Sequence, residues 1–354
     1  MQSRSSHEED PTSSADHLWR FTPWRRVRPD RSDDPSPVEP RITALDGTVM
    51  PEGVTVEPVG TPLLEEHLTT RTLAELHPDT WRITASKEPT PPIMIHLHAN
   101  GHVAASRLRF DVPPGGVLEV VIRFTGEAGW FGCLLEGTIG PGGALHLGTI
   151  NRMSNDTTTL RSETWHLDRD ARLTNATLSV GGGVTKSDLR HDLQAPGASV
   201  NVLNAVHGEA RREEDAHVEI RHRAPNTMSH AVHHAACGGR SRNIGTGRLT
   251  IDPGSHGSDG GQVYRNLLLS ERTLAEAIPE LEVLADDVRA NHGAASAPID
   301  PGMLHYLESR GLDPQQATDL VVEGFLMSTF GTHLPDTIHQ AMETDLKIHL
   351  SCDA

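Results

Sequence analysis

The sequence predicts a mainly β protein whose short strands stack as a solenoid, with a small helical region at its C-terminal end. Three observations carry this. From about Pro91 to Ile251, short runs alternate apolar and polar residues with a period of two, as in Ile93, Ile95 and Leu97, then Leu118, Val120, Ile122 and Phe124. That period places the apolar set on one face of a strand. Pro114-Gly115-Gly116, Pro141-Gly142-Gly143 and Pro196-Gly197-Ala198 each precede such a run. The first two stand 27 residues apart, the next interval of 55 is close to twice that, and Arg169-Asp170-Ala171 sits near the missing midpoint. Aromatic residues make up 4% of the chain, which suits a narrow stacked core of Val, Ile, Leu and Ala. An antiparallel sandwich uses similarly short strands, and periodicity alone leaves it open.

Residues 1–84 are expected to form an extended, poorly ordered segment, because its first 40 residues are rich in Ser, Asp, Pro and Arg and lack apolar periodicity. One island interrupts it, Leu18-Trp19-Arg20-Phe21-Thr22-Pro23-Trp24, read as an anchor that packs its two tryptophans on the main body. Residues 85–297 form that body. Residues 298–354 turn helical: Asp300-Pro301 supplies an N-cap and Pro at N1, with Leu304 and Leu307 on one face and Gly311 as the stop. Asp313-Pro314-Gln315-Gln316 is a capping box leading the stripe Ala317, Leu320, Val321, Gly324 and Phe325, and a third helix from Asp336 spaces Ile338, Met342 and Leu346 by four.

At 354 residues the chain buries a substantial core without cross-links. A formal charge of -17 opposes binding to nucleic acid. Three scattered cysteines, Cys133, Cys237 and Cys352, argue for a reducing compartment. No run approaches the length of a membrane span, and the acidic start Met1 to Asp16 lacks the layout of a signal peptide, so a cytoplasmic protein is expected. The 22 histidines are spread along the chain; His217, His222, His230, His233 and His234 cluster locally without a zinc-site spacing. Gly181-Gly182-Gly183 lacks the Lys and Ser/Thr of a phosphate loop and reads as a coil corner. Cys237, beside two glycines, is the cysteine to test for reactivity, whereas Cys133 in an apolar strand is expected to be inert.

Two late passages carry the most information: Pro279-Glu280-Leu281-Glu282-Val283-Leu284-Ala285-Asp286-Asp287-Val288, continuing to His292-Gly293-Ala294-Ala295, and Tyr306-Leu307-Glu308-Ser309-Arg310-Gly311. On residues alone, Leu281, Val283 and Ala285 indicate a strand to Val288, with His292 at a strand end before a flexible Gly293. In this order the two passages resemble the SufB/SufD family, scaffold subunits of the SUF iron–sulfur cluster assembly machine, and lie closer to SufD. Gln262-Val263-Tyr264-Arg265-Asn266-Leu267-Leu268-Leu269-Ser270, the His222-Arg223-Ala224-Pro225-Asn226-Thr227 block with Gly245–Ile251, and the Trp19 island match in the same order.

The resemblance implies a right-handed parallel β-helix, which decides against the sandwich, and a shortened or missing N-terminal helical domain. It implies a non-catalytic scaffold working with a SufB-like subunit and a SufC-like ABC ATPase, or a homodimer in isolation. The ATPase would dock on the C-terminal helices, with Phe325, Met327 and Phe330 as docking residues, while Gln262 and Arg265 would line the subunit interface. His292 matches the histidine that SufD contributes to cluster building, a putting-together of iron and sulfide held transiently and shared with the partner; flavin, bound in some family complexes, is a further cofactor candidate. Ala290 replaces a cysteine that SufD-like chains often carry, Gly293 stands where SufB has glutamate, and Tyr264 aligns with SufB's assembly cysteine, so His292 is at most a half-site. Two alternatives stand beside this reading. One is a diverged paralogue that no longer builds clusters; the other is a β-solenoid enzyme acting on sugars or acyl groups, for which Asp286 and Asp287, adjacent in a strand, would face opposite sides and could not act as a pair.

Overall fold

The computed structural model describes residues 18–30, 35–49, 52–59, 67–77, 80–86 and 90–352. The chain opens with α1 (Trp24–Val27), β1 (Ser36–Pro37), β2 (Arg41–Ala44), β3 (Val54–Val59), α2 (Leu68–Leu76) and β4 (Thr80–Ala85). The body continues through β5 (Ile93–Ala99), β6 (Val103–Val112), β7 (Val117–Gly126), β8 (Trp130–Ile139), β9 (Ala144–Met153), β10 (Thr158–Leu167), β11 (Arg172–Ser179) and β12 (Val184–Leu193). It ends with β13 (Ser199–Gly208), β14 (Glu213–His222), β15 (Met228–Cys237), β16 (Arg242–Ile251), β17 (Asp259–Leu268), β18 (Leu274–Val283) and β19 (Arg289–Pro298). Three helices follow, α3 (Pro301–Ser309), α4 (Pro314–Met327) and α5 (Asp336–Cys352).

Strands alternate between two facing sheets. The even strands β4 to β18 stack in parallel as one sheet, and the odd strands β5 to β19 as the other, so the body is a parallel β-solenoid. Only at the N-terminal edge does pairing become antiparallel, where β3 lies on β4 and β2 on β5. The predicted repeat is visible as a ladder of corners. Gly115, Gly142, Asp170, Gly197, Asn226, Gly257 and Asp287 all take positive φ at intervals of 27 to 31 residues. Left-handed backbone is open to Gly and, at low cost, to Asn and Asp. The corners also bond to one another: the N–H groups of Gly115, Gly142 and Asp170 donate to the carbonyls of Pro141, Arg169 and Pro196 in the next coil. Asp170 thus fills the corner at which the Pro-Gly signature lapses.

In the early coils the interior is apolar, with Leu97, Phe110, Phe124, Phe131, Leu147 and Trp165 fully buried between the sheets. From β10 onward polar groups join apolar ones such as Leu173, Leu189, Val202, Val218 and Leu249 in the interior. Arg161 bonds to Thr177 at 2.9 Å, Thr149 at 3.1 Å and Glu163; Glu163 in turn accepts from Trp165 Nε1 at 2.7 Å and from Asn175. These buried charges persist because they are paired and hydrogen-bonded inside a low-dielectric interior.

Both outer faces are covered. Within the stretch expected to be extended, Leu18, Trp19, Trp24, Val27 and Leu73 of α2 pack on Val103, Trp130, Leu134 and Leu160 of the even sheet. The two tryptophan rings meet edge to face at 5.2 Å, and Trp130 Nε1 donates to the Val27 carbonyl at 2.8 Å. Residues 1–17, including the acidic start, lie outside the described residues. On the odd sheet, Val322, Leu326, Ile338, Met342 and Leu346 of the C-terminal helices, with Phe330 in the turn between α4 and α5, pack on Val121, Ile150, Leu178 and Leu203. The predicted caps are in place: Asp300 accepts from Gly302 N–H, and Asp313 and Gln316 form a reciprocal capping box. Among the described residues no helix is long and apolar enough to cross a membrane.

Candidate functional site at the open end of the solenoid

The N-terminal edge of each sheet is closed by an antiparallel strand, but among the described residues β18 and β19 have no outer neighbour. Both are ten residues long. Arg289 and Ile299 direct their N–H groups toward β17, onto the carbonyls of Ser258 and Leu268. Alternation along a strand therefore turns the N–H groups of Ala290, His292, Ala294 and Ser296 to the free edge. On β18, Leu274 and Leu284 bond back to Ser241 and Ile251, which leaves the odd residues facing outward. Pro279 occupies one of these positions, where its missing N–H costs the sheet nothing and blunts the edge. The β19 edge is thus the more receptive of the two to another strand.

His292 lies in the middle of β19, in register with Gln262 of β17. This corrects the placement at a strand end: the strand expected to run to Val288 stops at Val283, and Asp286 and Asp287 form a corner with Asp287 at φ 57°. Gly293, Ala294 and Ala295 belong to β19 rather than to a flexible link. Residues paired in register on parallel strands share a face, so His292 continues the inward row of Asn175, Val202, Ala231 and Gln262. Gln262 is fully buried and donates from Nε2 to the Glu280 carbonyl at 2.8 Å. His292 is exposed, because among the described residues no coil stacks beyond it.

Tyr264 belongs to the neighbouring inward row. Its ring stacks on His233 at 5.5 Å, its hydroxyl donates to the Thr246 carbonyl, and burial pushes its pKa up. Gly247 makes room for it, since a Cβ there would fall 2.3 Å from the Tyr264 hydroxyl. The position aligned with an assembly cysteine is therefore a space-filling phenol. Cys133 and Cys237 are both buried, and burial raises their thiol pKa, that of Cys237 to about 12. Cys237 accordingly stays a thiol at neutral pH, against the expectation of reactivity. The Cys352 side chain lies outside the described residues.

The histidine cluster does not converge on one point. His222 is held between Thr227 at 2.7 Å and Ser229 at 2.8 Å, His217 meets Thr246, and His233 meets Asn243. Desolvation lowers His191, His222 and His233 to about 4, so they serve the interior as neutral imidazoles.

The docking and interface residues separate by burial. Phe330 is fully buried against the odd sheet and offers no surface to a partner. Phe325 and Met327 are half-buried; the Phe325 ring stacks on His234 at 4.8 Å, and His234 Nδ1 donates to the Phe325 carbonyl. The resemblance names all three as docking residues, but it does not show that the chain's own sheet covers Phe330 and half of the other two. The large apolar side chains that the C-terminal helices leave exposed are Met303 and Tyr306 on α3, Leu320 on α4 and Ile348 on α5, none of them among the three expected docking residues. Of the two interface candidates, Arg265 is exposed on β17 and Gln262 is buried one strand from the edge.

Comparison with known proteins places these features in one family. Residues 95–325 match the family model described as SUF system FeS cluster assembly, SufBD core domain. An iron-sulfur cluster assembly SufBD family protein of Mycobacterium leprae is 25% identical over 334 residues, covering 88% of this chain and 83% of that protein. Iron-sulfur cluster assembly protein SufD of Bacillus subtilis is 27% identical over 197 residues, covering 55% of this chain and 45% of that protein. With the match spanning the solenoid into α4, the chain belongs to the SufBD core family of the SUF iron–sulfur cluster assembly system.

Proposed function

We propose that this chain is a SufD-like scaffold subunit that pairs through β18 and β19 with a SufB-like chain and docks a SufC-like ABC ATPase through its C-terminal helices. The observation that carries the reading is the open end of the solenoid, where an unpaired ten-residue edge displays an exposed inward-row histidine. Strand addition to such an edge satisfies its backbone groups and supplies the coil that would cover His292. Met303, Tyr306, Leu320 and Ile348, rather than Phe330, are the large apolar residues available to the ATPase, with Phe325 and Met327 contributing their exposed portions.

The donors around His292 do not fit a complete cluster site. Iron–sulfur clusters are held chiefly by thiolates, and the two cysteines with described side chains are buried thiols. Iron and cluster are cargo in this reading; His292 supplies one imidazole, as a ligand or proton acceptor, and the partner supplies the sulfur. The protein itself is non-catalytic and cytoplasmic in this reading. Coexpression with a cognate SufB-like chain and ATPase tests the reading. A stable complex whose cluster yield drops with His292→Ala is expected; absence of a complex, or unchanged yield in the variant, would overturn the corresponding step.

A further inference from the structure

Far from the open end, a second group of donors joins the solenoid to its last helix. His207 lies near the end of β13 on the outer face of the odd sheet and is 3% exposed; Glu209 follows in the corner, and His349 sits in the last turn of α5. His207 Nδ1 and His349 Nε2 are 3.0 Å apart, His349 Nε2 and Glu209 Oε2 are 3.5 Å apart, and His207 Nε2 and Glu209 Oε1 are 3.8 Å apart. An ion takes one nitrogen of His207 and one oxygen of Glu209, and with one donor atom from each residue the three lie within 4.8 Å of one another. Donors about 2.0–2.1 Å from a tetrahedral ion are separated by about 3.3 Å, so a small side-chain adjustment closes the set around an ion. Among the described residues this is the only set of three or more such side chains whose donor atoms lie this close together.

We propose that His207, Glu209 and His349 form a binding site for a divalent transition-metal ion that staples α5 to β13. Two imidazoles and one carboxylate are the donor set of zinc and ferrous sites that keep a position open for water. A cavity of about 670 Å³ opens beside the three residues and leaves room for that water. Its lining includes Arg152, Arg211 and Arg212, which oppose a cation. Arg152 is neutralised by Asp345 at 3.2 Å and Arg212 by Glu214 at 2.9 Å. The Glu209 carboxylate and the negative end of the α5 dipole weigh against Arg211. Without metal, the short contact between the imidazoles is a single shared N–H···N hydrogen bond, so the two elements already touch at this point. The ion would add a stronger tie between the sheet and the helices that cover it, whichever partners the protein has.

Full-length protein stripped with chelator and titrated with Co(II) tests this through the visible ligand-field bands. The wild type is expected to bind one Co(II) with tetrahedral-type absorption, displaced by Zn(II). His349→Ala and Glu209→Gln should weaken that binding at least about tenfold. Zn(II) should raise the melting temperature of the wild type and leave the variants unmoved. Both variants alter partly exposed side chains, and an unchanged melting temperature in chelator shows that they fold. Equal Co(II) affinity in wild type and both variants would overturn the proposal. So would stabilisation by inorganic phosphate with none by Zn(II), which would make the cavity an anion site built on its arginines.

Discussion

Gln262 and His292 are register partners on adjacent parallel strands, yet the first is fully buried and the second exposed. The difference arises from position: β17 carries β19 on its outer side, and β19 carries no strand among the described residues. A row of side chains that is interior from Ile93 through Val120, Leu147, Asn175, Val202 and Ala231 to Gln262 becomes surface at His292.

Ala294→Pro probes that edge. The Ala294 N–H points away from β17, so proline there removes no existing ladder bond and is tolerated as on other edge strands. The isolated protein should melt within a few degrees of wild type, while strand pairing with a partner, or with a second copy, is lost. Size-exclusion chromatography of the coexpressed complex measures this; an intact complex would mean that β19 is not the pairing edge.

Acid should unfold the protein earlier than carboxylate titration alone requires. His191, His222 and His233 are pushed by burial from 6.5 to about 4 in the folded chain. Below pH 6.5 the unfolded chain takes up protons that the folded one refuses. The stability from these groups is therefore complete above about pH 6.5 and falls as pH drops toward 4, by up to about 1.4 kcal/mol per pH unit for each histidine. Urea midpoints across this window should show the slope, and His222→Gln, which keeps a hydrogen-bonding side chain between Thr227 and Ser229, should reduce it. An identical slope in the variant would show that His222 is not among the groups responsible.

A buried ion pair fastens the N-terminal strap. Lys186 Nζ donates to Asp215 Oδ1 at 2.8 Å and to the Leu18 carbonyl at 2.7 Å, beneath the Trp19 ring. Lys186→Ala strands the Asp215 carboxylate in the interior and should cost about 3–5 kcal/mol in urea unfolding. Lys186→Met combined with Asp215→Leu should recover most of it, since no unpaired charge then remains.

The repeat was legible because its corners impose a backbone requirement that few residues meet. Asp170 betrayed a corner without Pro-Gly for the same reason that Asn226 and Asp287 form theirs. The helix starts were legible because Asp300 and Asp313 satisfy the first-turn N–H groups locally. The end of β18 and the placement of His292 were not. Alternation carries on through Leu284 and Ala285 although the chain turns there, because a corner residue can be apolar when the next coil is absent. Burial of Phe330 was equally hidden, since it lies in the turn after α4, where an apolar residue does not state whether a sheet of its own chain or another protein covers it. The His207, Glu209 and His349 group joins residues more than a hundred positions apart, and only the return of α5 along the odd sheet brings them together.

Gly247 makes the last prediction, on how the open end is supported. A Cβ at this position would lie 2.1 Å from Gln262 Oε1 and 2.3 Å from the Tyr264 hydroxyl. Gly247→Ala must therefore displace the two side chains that floor the interior beneath β19. Overpacking of this kind costs about 1–3 kcal/mol. If Gln262 holds β17 in place for β19, the variant should also lose hydrogen-exchange protection in 259–268 and 289–298 while β5 to β13 keep theirs. Combining Gly247→Ala with Tyr264→Phe removes one of the two atoms the new methyl meets and keeps the Gln262 bond to the Glu280 carbonyl, and should restore part of the lost protection. Uniform loss across the solenoid would instead mean that its coils open as one unit.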